Sequence, residues 1–89
     1  MPAYSIEFVK SAQKEFERLP IKIRTKIAEA LGFLAQNPFS DLLKVKKLKG
    51  AEDVYRFRTG DYRVLYEVHR KRLVILVIKV GNRKEVYRR

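Results

Sequence analysis

Val54-Tyr55-Arg56-Phe57-Arg58-Thr59-Gly60-Asp61-Tyr62-Arg63-Val64-Leu65-Tyr66 is the stretch that decides the fold. Apolar or aromatic residues alternate with arginines on both sides of a Gly-Asp pair, and a period of two belongs to a half-buried strand. Two such runs separated by two turn-forming residues predict a β-hairpin, with strands over residues 53–59 and 62–69. The alternation also assigns faces. Tyr55 and Phe57 share one side of the first strand, Arg56 and Arg58 the other. In the second strand Tyr62, Val64, Tyr66 and Val68 oppose Arg63, Leu65 and Glu67. With the more apolar faces turned to a core, Arg56, Arg58 and Arg63 converge on an open, basic sheet face.

Downstream, Arg70-Lys71 predicts a second turn. Residues 73–80, apolar except for Lys79, predict a central strand covered on both sides. Gly81 is expected to end that strand, leaving a last short strand or an irregular tail over residues 85–88. Upstream, Tyr4, Ile6 and Phe8 alternate with Ser5 and Glu7, predicting another half-buried strand over residues 3–9. Ser11 is a candidate N-cap for a short helix whose inner stripe is Ala12, Phe16 and Leu19. Leu19-Pro20 breaks that helix, because the residue before a proline is pushed out of the helical region. Pro20 suits the first turn of a second helix, which presents Ile23, Ile27, Ala30, Leu31 and Leu34 on one face and ends at Asn37-Pro38. With almost no loop between them, the two helices predict an antiparallel hairpin. Residues 39–43 form a connector. Lys44, Lys46, Lys47 and Lys49 then crowd six positions, either as a solvated loop or as contacts to a polyanion. Strand, helix, helix, then three or four antiparallel strands is the order of an α+β domain with the helical hairpin on one sheet face.

Composition narrows the function classes. Eighty-nine residues, 46% of them hydrophobic, make one folded domain over residues 1–89. No cysteine is present, which excludes disulfides, thiolate metal sites and a cysteine nucleophile. The net charge is +11, and fifteen of the 21 lysines and arginines lie within residues 44–89, against five of the ten carboxylates. Because the excess sits on predicted strands and not on an amphipathic helix, it favours a nucleic acid or an acidic protein over a membrane. The first residues lack the basic-then-apolar layout of a signal peptide. The longest apolar run, residues 73–78, is too short to cross a bilayer. The expected location is therefore the cytoplasm. Scattered acidic residues suit a two-metal nuclease poorly, and no glycine-rich phosphate loop or Ser-His-Asp pattern occurs. His69 reads as an exposed residue beside a basic turn. Neither a metal nor an organic cofactor is expected.

Leu48-Lys49-Gly50, Tyr55-Arg56-Phe57-Arg58, Gly60-Asp61-Tyr62-Arg63-Val64-Leu65-Tyr66, Val80-Gly81-Asn82-Arg83 and Val86-Tyr87 together resemble the RelE toxins of bacterial and archaeal toxin–antitoxin modules. The Gly-Asp-Tyr-Arg core is shared across the wider RelE/ParE superfamily, and the Gly-x-Arg…Val-Tyr ending is more particular to its RNA-cleaving branch. The resemblance implies a RelE-like fold and a ribosome-dependent endonuclease that cuts mRNA at A-site codons until a cognate antitoxin neutralises it. It places Arg56 and Arg58 where the family typically has lysines, and Arg63 at a phosphate-binding arginine. Arg83 falls at an arginine assigned to the leaving group, Tyr87 at a tyrosine that assists the nucleophile, and Lys49 at a further basic contact. Arginine effectively never loses its proton, so Arg58 cannot act as the base that a lysine there could supply.

Cleavage by a neighbouring 2′-hydroxyl needs a base at that oxygen, cations on the phosphorane and an acid at the departing 5′-oxygen. Tyr87 has an ordinary pKa of about 10. Nearby arginines would pull it down, making it the candidate base or proton relay. Two alternatives share the fold: a ParE-type inhibitor of DNA gyrase, and a non-catalytic module whose basic face docks RNA or an acidic antitoxin.

Overall fold

The computed structural model describes residues 3–38, 46–47 and 54–82. Strand β1 (Ser5–Phe8) is followed by helices α1 (Lys10–Glu17) and α2 (Ile21–Gln36). After them come the two-residue strand β2 (Lys46–Lys47) and strands β3 (Val54–Thr59), β4 (Tyr62–His69) and β5 (Val74–Asn82). The five strands form one sheet in the order β1-β5-β4-β3-β2. Strands β2 to β5 pair antiparallel, and β1 lies parallel to β5. This is the expected α+β architecture of an N-terminal strand, two helices and an antiparallel meander. No helix among the described residues is long and apolar enough to cross a membrane.

The hairpin closes as its turn chemistry requires. Thr59 pairs with Tyr62 across two residues, and Gly60, the first of them, takes φ 59°. A positive φ at that position suits the right-handed twist of the strands, and glycine adopts it without a Cβ penalty. From there the period of two sorts the side chains. Tyr55, Phe57, Val64, Tyr66, Val68, Ile75, Val77 and Val80 are buried on one face, with Ala12 of α1 and Ile27, Leu31 and Leu34 of α2 packed onto them. Phe16, Leu19, Ile23 and Ala30 complete the helical stripes as half-buried neighbours. Three aromatic contacts stiffen this layer. Phe8 meets Phe16 at 5.3 Å, Tyr66 stacks on Tyr55 at 6.0 Å, and Tyr66 meets Phe57 at 6.1 Å with the rings tilted.

Chain direction follows from a few bonds. Val9 is the single residue between β1 and α1, and its N–H still reaches the Val77 carbonyl at 2.9 Å. Helix α2 then doubles back, so that the Ala35 carbonyl near its end accepts the Tyr4 N–H at 2.8 Å. Pro20 caps α2 with its carbonyl, which accepts from Ile23 and Arg24, and Asn37 closes the helix.

The structure departs from the sequence reading at several element ends. Val9, not Ser11, is the N-cap of α1 and makes no side-chain cap. The sheet holds the chain as far as Val9, so the helix begins before Ser11. Gly81 does not end β5, which continues to Asn82 because β4 supplies partners up to Tyr62. The second turn is longer than Arg70-Lys71: His69 pairs with Val74, so the connection runs through Leu73, which adopts φ 55°. Lys46 and Lys47 are not loop but an edge strand, standing opposite Arg56 and Tyr55 in the ladder.

Candidate functional site

The three arginines of the hairpin share the sheet face turned away from the helices. Arg58 stands directly across from Arg63, and Arg56 across from Leu65. Directly opposed side chains on one face approach to about 5 Å between Cβ atoms, and like charges there cost stability. On the far side of β4, Arg63 is opposed by Gly81, which has no side chain to fill the space. Lys46 occupies the register position opposite Arg56 on the other side of β3. The expected clustering is therefore present in the register.

The face is less open than the alternation suggested. Arg58 is exposed, Arg56 half-buried and Arg63 only 5% exposed. Arg63 lies on β4 between β3 and β5, whereas Arg58 lies beyond the two residues of β3 that β2 pairs with. A guanidinium stays ionised when buried. Arg63 therefore brings a permanent positive charge into a low-dielectric setting, where it acts more strongly than at the surface. Arg83, Tyr87, Lys44 and Lys49 lie outside the described residues. Arg83 follows Asn82 in sequence, and Asn82 pairs with Tyr62 at the hairpin end of the sheet.

Two further groups are settled by their surroundings. Tyr66 lies on the helix face, and its hydroxyl donates to the Pro38 carbonyl at 3.3 Å. Burial, with Tyr55 beside it, pushes its phenol well above the ordinary range. Tyr66 is therefore no proton carrier for the arginine face. His69 is half-buried and not exposed, with Nε2 2.8 Å from Glu67 Oε1. Glu67, the carboxylate on the arginine face of β4, is thus engaged at the far end of the strand from Arg63.

Beside Arg58 a shallow groove of about 340 Å³ separates α2 from β3, with Lys26, Glu29 and Phe33 on one wall and Phe57, Arg58 and Thr59 on the other. Glu15 of α1 is a polar residue that the sequence reading missed. Its carboxylate accepts from Lys79 Nζ at 2.7 Å and from the Val80 N–H at 2.9 Å. Its partners lie where β5 is irregular, which only the pairing with β4 reveals. Ile78 is indeed the extra residue of a β-bulge, since Tyr66 pairs with Val77 but Leu65 with Lys79.

Known proteins share both sequence and geometry with this chain. Residues 6–87 match the family model described as the ParE toxin of the type II toxin–antitoxin system parDE. The mRNA interferase toxin RelE of Escherichia coli K12 is 33% identical over 89 aligned residues, covering 96% of this chain and 90% of that protein. The isolated E. coli RelE toxin superposes with a TM-score of 0.81 at 31% identity, over 96% of this chain and 92% of the other. The archaeal RelE in the RelE–RelB complex from Pyrococcus horikoshii gives 0.80 at 33% identity, over 91% and 96%. The fold is thus shared with solved RelE toxins, and the chain belongs to the RelE family of type II toxin–antitoxin toxins, within the wider RelE/ParE superfamily.

Proposed function

We propose that this protein is a ribosome-dependent mRNA endonuclease, cutting A-site codons by metal-free attack of the 2′-hydroxyl on the neighbouring phosphodiester. The observation that carries the reading is the direct opposition of Arg58 and Arg63 on the face away from the core, with Arg56 beside them. Guanidiniums held at fixed register positions on one sheet face offer the planar, charge-assisted donors that a phosphate group takes. The naming of the E. coli relative as an mRNA interferase supports the same reading.

In this mechanism exposed Arg58 and half-buried Arg56 meet the scissile phosphate, and Arg63 adds charge from within the sheet. Arg83 stabilises the charge on the departing 5′-oxygen, which takes its proton from water to become the 5′-hydroxyl. Tyr87 accepts or relays the 2′-hydroxyl proton, since no arginine can. Lys44, Lys46, Lys47 and Lys49 hold the RNA backbone. The products are a 2′,3′-cyclic phosphate or 3′-phosphate and a 5′-hydroxyl. A cognate antitoxin is the protein partner, supported by the RelE–RelB complexes among the solved relatives. The place of action is the cytoplasm.

The test is Arg83→Ala on programmed, translating ribosomes, with the RNA ends analysed chemically. Wild type should leave a cyclic or 3′-phosphate and the variant should lose cleavage. Full cleavage by the variant would remove Arg83 from the mechanism. The ParE description of the matching family model favours one second reading, a gyrase inhibitor. Induced DNA damage with intact messages would establish that instead.

A further inference from the structure

Strand β1 accompanies β5 only as far as the pair Phe8–Val77, after which Val9 makes one last bond and the chain turns into α1. Beyond Val77 the β1 side of β5 has no strand beside it among the described residues. The bulge at Ile78 falls within that stretch. A regular ladder continued from Tyr66–Val77 would pair Val64 with Lys79 and Arg63 with Val80. That slip would turn Lys79 toward the core and Val80 away from it. The observed register instead pairs Val64 with Val80 and Arg63 with Gly81.

What occupies the vacated edge is a side chain of α1. Glu15 Oε1 accepts the Val80 N–H at 2.9 Å, as a neighbouring strand's carbonyl would. Its second oxygen accepts from Lys79 Nζ at 2.7 Å, holding that side chain off the core. One carboxylate thereby fixes two consecutive residues immediately after the bulge. The next two residues are Gly81, opposite Arg63, and Asn82, after which the chain proceeds to Arg83.

We infer that Glu15 is a positioning residue of the candidate site: it holds the bulged end of β5 in the register that sets Gly81 against Arg63. Its catalytic consequence rests on the proposed function, but its structural content does not. Displacement of a catalytic constellation by about 1 Å can cost on the order of 100-fold in rate.

The test uses the full chain with Glu15→Gln, Glu15→Asp, Glu15→Ala and Lys79→Met. Glutamine keeps the acceptor for Val80, whereas aspartate keeps the charge but withdraws it by one methylene. Amide hydrogen exchange in the free protein should show Val80 protected in wild type, Glu15→Gln and Lys79→Met, and exchanging faster in Glu15→Asp and Glu15→Ala. On translating ribosomes the last two should lose about 10- to 100-fold in kcat with KM unchanged. Glu15→Gln should restore the rate. Unchanged Val80 protection in folded Glu15→Asp, or equal rates for Glu15→Gln and Glu15→Ala, would overturn the inference. If wild type cuts no RNA at all, the proposed function fails, and the exchange result still decides the role of Glu15 in the register.

Discussion

At the scale of single residues, Arg58 is where stability and function pull apart. It faces Arg63 across two strands with both charges permanent. Replacing it with threonine, a good strand former, should stabilise the domain at low salt by about 0.2–1 kcal/mol. The same change should abolish RNA cleavage. Urea unfolding at two ionic strengths checks the first expectation, and a difference that persists unscreened at high salt would contradict the repulsion. Tyr66 gives a second residue-scale prediction. Its phenol is raised by burial in the folded state, whereas the unfolded chain has an ordinary tyrosine with a pKa of about 10. Above pH 10 the unfolded state releases a proton that the folded state retains. Stability from this group is therefore complete below pH 10 and falls above it by about 1.4 kcal/mol per pH unit. Tyr66→Phe should lose stability less steeply than wild type between pH 9 and 11, as read by urea midpoints at each pH.

At the scale of elements, the hairpin was legible and the strand edges were not. Gly60-Asp61 between two alternating runs names its own turn, and the structure keeps it with Gly60 at φ 59°. No atom would obstruct a Cβ at Gly60. Gly60→Ala should therefore cost only the left-handed backbone penalty, about 1–2 kcal/mol, measurable as a lower unfolding midpoint with an unchanged slope. The start of α1 and the extent of β5 escaped the sequence because partners distant in the chain set them. Val77 holds Val9, and Tyr62 holds Asn82. The bulge at Ile78 was missed for the same reason: a local period cannot show that one strand carries an extra residue relative to another. Burial of Arg63 is a related failure, since alternation gives the face of a residue but not its depth. The arginine cluster itself was legible because it depends only on alternation and on a two-residue turn that fixes the register.

At the scale of the molecule, helices and arginines occupy opposite faces of one sheet, so core and candidate chemistry can be perturbed separately. Leu34→Ala, at a fully buried position on α2, should cost about 2–5 kcal/mol. Below its lowered melting temperature it should leave cleavage per folded molecule unchanged. The most direct measurement is primer extension on messages from cells expressing either wild type or Tyr87→Phe. The account predicts cuts confined to translated frames for wild type and none for the variant. Intact messages under wild type, or the same cuts from Tyr87→Phe, would contradict it.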